Sequence, residues 1–238
     1  MPKIESTGST GIEAAAADAT LAIPVWDLPV RLFHWLLVAL IAVSWWSAQN
    51  DRIEWHIWSG LAVMSLLLFR LLWGLFGSST ARFGSFVKGP RAVLTYARDP
   101  RGWQEIGHTP VGALSVIALL ALLGVQVGLG LLLSDEDGTI TAPLNRIVSF
   151  ETAERAHDLH ELLFNVLLGF IALHVAAIVF YRLVLGERLL GAMITGRAAA
   201  SSSTQPMRPA RWWVAALCFL AAIAMTRWII AGAPPFGT

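Results

Sequence analysis

The sequence has little charge and almost no cysteine, and each shortage excludes a class of protein. Asp, Glu, Lys and Arg make up 14% of the 238 residues, whereas an average soluble domain has roughly 25%. The single cysteine, Cys218, cannot form an intrachain disulfide, a cysteine zinc site or a cysteine-ligated iron–sulfur cluster. A soluble enzyme domain is therefore excluded, and any redox centre needs ligands other than cysteine.

Hydrophobic residues make up 56% of the chain and are concentrated in five runs with few charges. These runs lie at about residues 30–48, 56–76, 110–133, 161–185 and 212–233. About 20 residues of helix cross the roughly 30 Å hydrocarbon core, whereas the strands of a membrane barrel alternate over about ten residues. The predicted fold class is an all-α integral membrane protein, with a four-helix transmembrane bundle and a fifth C-terminal transmembrane helix.

Lys and Arg are concentrated in two segments, one after the second run and one after the fourth. These residues are Arg82, Lys88, Arg91, Arg98 and Arg101 in the first segment, and Arg182, Arg188, Arg197, Arg208 and Arg211 in the second. The positive-inside rule assigns both segments to the cytoplasm. The N-terminus is then predicted to be cytoplasmic and the C-terminus periplasmic.

The composition also predicts the domain organisation. Residues 1–23 lack the basic region and apolar core of a signal peptide and are predicted to form a mobile or surface-lying tail. Residues 24–190 form the predicted four-helix core. The small, polar residues 191–211 are predicted to be a cytoplasmic linker, and residues 212–238 an additional transmembrane helix with a short outer tail.

The sequence indicates where two of the helices begin. Asp27 precedes a helix with Pro29 in its first turn, and Thr109 stands directly before Pro110. Both Asp and Thr accept hydrogen bonds from the free amides of a first helical turn, where proline is tolerated. Asp27 and Thr109 are therefore predicted N-caps.

The histidines are the most informative polar residues, because ionisable groups inside a bilayer are costly and usually functional. The six are His34, His56, His108, His157, His160 and His174. His160 and His174 are 14 residues apart, which is within roughly 40° of four full turns and a rise of about 21 Å. One face of the fourth span thus presents two imidazoles, which predicts an inner pair with His34 and an outer pair with His56.

Two histidine pairs in an apolar bundle without cysteine favour haem b, whose iron takes axial imidazoles from facing helices. Glycines at 60, 124, 128, 130 and 169 would allow the close approach of helices. Zinc is a poorer candidate, because two histidines without carboxylates leave it undercoordinated. A single membrane histidine could instead hydrogen-bond a neighbouring helix.

Four further side chains have two interpretations each. Arg31 and Arg70 lie at the inner level, where they could pair with haem propionates or extend to the membrane interface. His157 could compete with His160 as the outer ligand, although its charged neighbours favour a surface role. His108 is interpreted as an interfacial residue, with a quinone or propionate site as the alternative.

Several motifs together resemble the bacterial cytochrome b561 family, which includes the cytochrome b subunit of nickel–iron hydrogenases. They are VWDLPVRLFHW, the Trp-flanked His56 with Arg70, GHTPVGAL, and HDLHELLFNVLLGFIALHV, within roughly residues 24–190. The resemblance implies a four-helix protein with two b haems that exchanges electrons with quinones. It assigns His34 and His174 to one haem and His56 and His160 to the other. The fifth span and the long N-terminal tail depart from the simplest members.

The predicted function is that of a dihaem membrane cytochrome b that carries electrons across the bacterial inner membrane, between the quinone pool and a redox partner. The expected redox partner is a periplasmic haem c protein, dehydrogenase or hydrogenase. The protein itself is expected to lie in membrane lipid and to bind no nucleic acid. Candidate docking residues are Asp51, Arg52, Glu54, His157 and the acidic loop at 134–137. The alternatives are a self-sufficient superoxide:quinone oxidoreductase, which the acidic outer loop disfavours, and a haem-free transporter or membrane anchor.

Overall fold

The computed structural model describes residues 20–103, 105–134, 141–201 and 204–234. Eight α-helices occur in this part of the chain: α1 (Leu28–Gln49), α2 (Ile53–Phe76), α3 (Phe83–Phe86), α4 (Pro90–Arg98), α5 (Pro110–Gly130), α6 (Phe150–Phe180), α7 (Leu189–Thr195) and α8 (Trp212–Ile230). A π-helical turn, Tyr181–Leu185, continues α6. Five of these helices, α1, α2, α5, α6 and α8, are long and apolar enough to cross a membrane. The prediction of an all-α membrane protein is thereby confirmed.

Side-chain caps begin three of the spanning helices. Asp27 Oδ1 accepts a hydrogen bond from Val30 N at 2.8 Å, and Thr109 Oγ1 accepts one from Gly112 N at 3.1 Å. Both predicted N-caps are confirmed. Ser149 caps α6 through Thr152 N, so that this helix begins well before the apolar run that starts near residue 161. The apolar run marks only the lipid-facing part of α6, whereas the first turns of this helix are polar.

The bundle core lies around α2, which packs against α1 on one side and α8 on another. Val63 and Leu67 of α2 contact Leu123 of α5 and Leu167 of α6. The fifth spanning helix, α8, is joined to α2 by a hydrogen bond between Ser65 Oγ and Thr226 Oγ1 at 2.9 Å. The additional helix is therefore packed onto the bundle as an integral part of it.

A small cap covers the end of the bundle at which α1 begins and α2 ends, called the inner end below. Strand β1 (Thr20–Pro24) pairs antiparallel with β2 (Arg197–Ser201). Ser79 and Arg208 exchange two hydrogen bonds, from Ser79 N to Arg208 O at 3.1 Å and from Arg208 N to Ser79 Oγ at 2.9 Å.

The cap includes parts of the segments that were predicted to be a tail and a linker. Residues 20–23 of the predicted tail belong to β1, and the predicted linker 191–211 contains the end of α7 and all of β2. Strand pairing and tertiary hydrogen bonds order these small, polar residues. Residues 1–19 of the predicted tail lie outside the described residues.

Candidate functional site

His56 and His160 face each other at the outer end of the bundle. His56 lies in the first turn of α2, and His160 lies in the third turn of α6. Their ring centroids are 6.1 Å apart and the rings are nearly perpendicular, at 81°. The fold thus brings together the two residues of the predicted outer pair.

Each of these imidazoles is oriented through its Nδ1 atom. His56 Nδ1 donates to the carbonyl oxygen of Ser44 at 3.0 Å, and His160 Nδ1 donates to that of Gln126 at 3.0 Å. The amide of Gln126 in turn donates to the carbonyl oxygen of His160. Because a carbonyl only accepts, each Nδ1 carries the proton and each Nε2 has its lone pair available. Within the described part of the chain neither Nε2 makes a hydrogen bond.

The spacing of the outer pair fits one metal ion between the two rings. A metal–imidazole bond is about 2 Å long and the ring centre lies about 1 Å beyond the nitrogen, so two ligating rings have centroids roughly 6 Å apart. Histidines that ligate metals usually donate their other nitrogen to a carbonyl or carboxylate, as both do in this pair. The ring separation and the two Nδ1 hydrogen bonds of the outer pair are compatible with a bis-imidazole site.

Gly130 makes room for the outer pair. An added Cβ at this position would lie 3.1 Å from Cε1 and 3.5 Å from Nδ1 of His160. A side chain on α5 at this point would therefore push against the imidazole and its hydrogen bond to Gln126. By contrast, an added Cβ at Gly60, Gly128 or Gly169 would meet no atom within 4 Å.

The inner pair is less tightly organised. His34 of α1 and His174 of α6 are close enough to interact electrostatically, and both side chains are partly buried. His34 Nδ1 is buried without a hydrogen-bond partner among the described residues, and the ring packs edge-on against Trp35. An unsatisfied buried nitrogen is costly and points to a group that would engage it.

Arg70 is a buried cation in the inner half of α2. It is 3% exposed, and its Nη1 has no hydrogen-bond partner among the described residues. Its guanidinium lies 4.9 Å from the centre of the Phe83 ring, which occupies the space that a side chain at Gly74 would need. Asp27 interacts with it electrostatically, but Arg70 forms no ion pair among the described residues, so its Nη1 is available to a further anion.

Arg31 is tied to the cap. Its Nη2 donates to the carbonyl oxygen of Ile194 in α7, and its Nε is buried without a partner among the described residues. One donor of Arg31 is therefore used to hold the cap and another is available.

His108 is partly buried between two aromatic side chains. Its ring packs against Trp26, with centroids 4.6 Å apart, and against Phe86, with centroids 4.3 Å apart. Burial, together with the nearby Arg70 and His174, lowers the pKa of His108 from 6.5 to about 3. The imidazole is therefore neutral at physiological pH.

His157 lies outside the outer pair. It is exposed on α6 and lies 3.5 Å from the carboxylate of Glu161, one turn further along the helix. This position agrees with the surface role that its charged neighbours indicate.

A comparison with known protein families bears on the interpretation of these histidines. Residues 25–196 match the family of prokaryotic cytochrome b561. The chain belongs to this family. No curated protein and no solved structure matches the chain. This cytochrome b561 is thus a multi-pass membrane protein and a b-type cytochrome, which binds haem and serves electron transfer.

Sequence reasoning missed several residues that organise the cytochrome b561 sites. Gln126 and Ser44 orient the outer imidazoles, and Trp73 donates from Nε1 to Asp27 at the inner end, at 3.0 Å. Gln126 had a detectable signal, since it interrupts the apolar run LLGVQVGLG and a polar residue at membrane depth indicates a specific partner. The use of backbone carbonyls as partners has no sequence signal.

Proposed function

We propose that this cytochrome b561 binds two b haems and carries electrons across the bacterial inner membrane between the quinone pool and a redox partner. The observation that carries the proposal is the outer pair, in which His56 and His160 face each other with both Nδ1 atoms held by carbonyl oxygens. His34 and His174 are assigned to the inner haem, and His56 and His160 to the outer haem.

In this proposal the protein supplies the iron ligands, the positive charges for the haem propionates and an apolar environment that excludes water. When bound, haem b supplies an iron that accepts and releases one electron at a time. His34 with His174 and His56 with His160 would each hold one haem iron through two imidazoles, an arrangement that would favour electron transfer over oxygen chemistry. The unpartnered donors of Arg31 and Arg70 support their assignment to propionates of the inner haem.

The depth of the two pairs supports a relay across the membrane. His160 and His174 lie on the same helix, with a rise of about 21 Å between them. The predicted orientation places the inner pair near the cytoplasm and the outer pair near the periplasm. The periplasmic partner is proposed to be a haem c protein, a dehydrogenase or a hydrogenase.

Exposed polar residues at the outer end are the proposed docking surface for this partner. Asp51, Arg52, Glu54 and His157 are exposed near the outer pair. Residues 135–137 of the predicted acidic loop lie outside the described residues. The mixed charges suit a transient encounter with a soluble redox protein.

The haem content of the purified full-length protein tests the proposal. We expect a b-type α-band in the dithionite-reduced minus oxidised spectrum and a pyridine haemochrome value of two haems per chain. A protein without this band would contradict the cytochrome assignment and favour a haem-free transporter or anchor. A value of one would contradict the dihaem assignment.

Gly130 provides an independent test of the outer pair. We expect Gly130→Val to lower the haem content to about half, because the new side chain would displace the His160 ring. Gly89→Val is the control: Gly89 lies directly before α4, outside the spanning helices, an added Cβ there meets no atom within 4 Å, and the variant should retain both haems. Equal haem content in the two variants would show that haem binding does not require this position of the His160 ring.

A further inference from the structure

Helix α4 lies at the inner end of the bundle, outside the five spanning helices, and one tyrosine holds it there. Tyr96 of α4 is 4% exposed, and its hydroxyl group lies 2.5 Å from that of Tyr181, in the π-helical turn that continues α6. Arg101 Nη2, in the turn after α4, donates to the carbonyl oxygen of Val184 at 3.5 Å. These contacts fix α4 at the level where the fourth spanning helix, α6, ends.

The outward face of α4 carries a leucine between two arginines. Arg91, Leu94 and Arg98 are separated by three and four residues, so they lie on one face of the helix. All three are exposed, and Leu94 is 53% exposed. Val93 and Tyr96 lie on the opposite, more buried face. The outward face of α4 thus combines positive charge with an apolar side chain.

The arginines of this face have no acidic partner in the described part of the chain. The side chains of Arg91 and Arg98 form no ion pair and no hydrogen bond with any described residue. Arg182 is exposed on the neighbouring π-helical turn and adds a third positive charge. The guanidinium groups are therefore available to an anion from outside the protein.

Two carboxylates lie near these arginines and do not balance their charge. Asp99 Oδ1 accepts a hydrogen bond from Gly102 N at 3.1 Å, so it belongs to the turn after α4. Glu187 follows the π-helical turn and is exposed. With Arg101, four arginines stand against these two carboxylates. A surface with an excess of positive charge is complementary to an anionic partner.

A second exposed leucine lies on the α6 side of the tyrosine contact. Leu183 is 78% exposed and directly follows Arg182. Trp212 and Trp213, at the start of α8 and at the same end of the bundle, are also exposed. Tryptophan at the ends of spanning helices marks the membrane interface. The exposed arginines and leucines therefore lie where lipid head groups meet acyl chains.

We propose that Arg91, Leu94 and Arg98 of α4, with Arg182 and Leu183 of the π-helical turn, bind an anionic phospholipid of the adjacent leaflet. We call these five residues the α4 surface. The guanidinium groups bind the lipid phosphate, and the leucines pack against the first carbons of the acyl chains. Basic residues beside the ends of spanning helices attract anionic lipids. The α4 surface adds apolar side chains at fixed positions, which a soluble anion would not use.

Lipid retention by the full-length protein tests this assignment. The protein is placed in nanodiscs of equal parts phosphatidylcholine and phosphatidylglycerol, and native mass spectrometry of the released protein counts the lipids of each kind that remain bound. We expect the wild type to retain phosphatidylglycerol in preference to phosphatidylcholine. Arg91→Gln/Arg98→Gln should retain roughly tenfold less phosphatidylglycerol, because two positive charges near the membrane surface are lost. Leu94→Gln should retain roughly threefold less, because it removes an apolar contact with the acyl chains.

A variant with the same change of charge at the other end of the bundle is the matched control. Arg146 and Arg155 are exposed at the outer end, so Arg146→Gln/Arg155→Gln should retain as much phosphatidylglycerol as the wild type. A far-ultraviolet circular dichroism spectrum like that of the wild type shows that each variant is folded. If Arg91→Gln/Arg98→Gln does not fold, Leu94→Gln decides the question.

Four results would overturn the α4 surface. They are a wild type without preference for phosphatidylglycerol, equal retention in the two double variants, unchanged retention in Leu94→Gln, and release of bound phosphatidylglycerol by an excess of sn-glycerol 3-phosphate. The last result would indicate a site for free anions that makes no use of acyl chains. None of these results depends on the haem content, which tests the proposed function separately.

Discussion

Replacing His34 or His174 with alanine should remove one haem, and it should be the same haem in both variants. Replacing His56 or His160 should remove the other. Each substitution removes one of the two imidazoles proposed to hold a haem, so we expect about half of the wild-type haem in every single variant. Pyridine haemochrome analysis gives the amount, and redox titration of the α-band shows which of two potentials remains.

The pairing, rather than the loss alone, is the decisive result. His34→Ala and His174→Ala should leave the same remaining potential, and the double variant should lose no more haem than either single variant. His157→Ala is the control, because His157 is an exposed histidine on α6 one turn from His160 and should retain both haems. Loss of the outer haem in His157→Ala would show that the wrong histidine had been assigned.

The spanning helices could be predicted because membrane insertion depends on local composition. Length and apolar character alone located all five spans, and Asp27 and Thr109 marked two helix starts through hydrogen bonds within the first turn. The depth of each histidine followed from the fixed rise of a helix. These properties are local, so one sequence is enough to derive them.

Tertiary contacts could not be derived in the same way. Strand β1 is ordered by β2, which lies more than 170 residues further along the chain. His108 is enclosed by Trp26 and Phe86 from two distant segments, although its sequence neighbours indicate an interface. Which carbonyl oxygen receives each imidazole proton likewise depends on how the helices pack.

The cap gives the fifth helix a role that hydropathy alone does not suggest. Its connecting segment packs under the bundle, binds Ser79 and supplies part of the wall of a cavity beside His108. Arg31 donates to Ile194 in the same region. Arg31 lies three residues before His34 on α1, so the cap is hydrogen-bonded to the helix that carries one residue of the inner pair.

Replacing Arg70 with leucine should lower the midpoint potential of the inner haem by on the order of 50 mV, because a nearby cation disfavours the more positive oxidised state. The inner haem is the one whose potential disappears in His34→Ala. Arg70→Lys keeps the charge and should retain most of the wild-type potential.

Stability separates this electrostatic role from a structural one. Arg70 is buried without an ion pair among the described residues, and a buried charge without a partner carries a desolvation cost that leucine does not have. We therefore expect Arg70→Leu to unfold at a temperature no lower than that of the wild type while its inner potential falls. An unchanged potential in Arg70→Leu would mean that Arg70 does not act on the inner haem, and its unpartnered Nη1 would then need another anion.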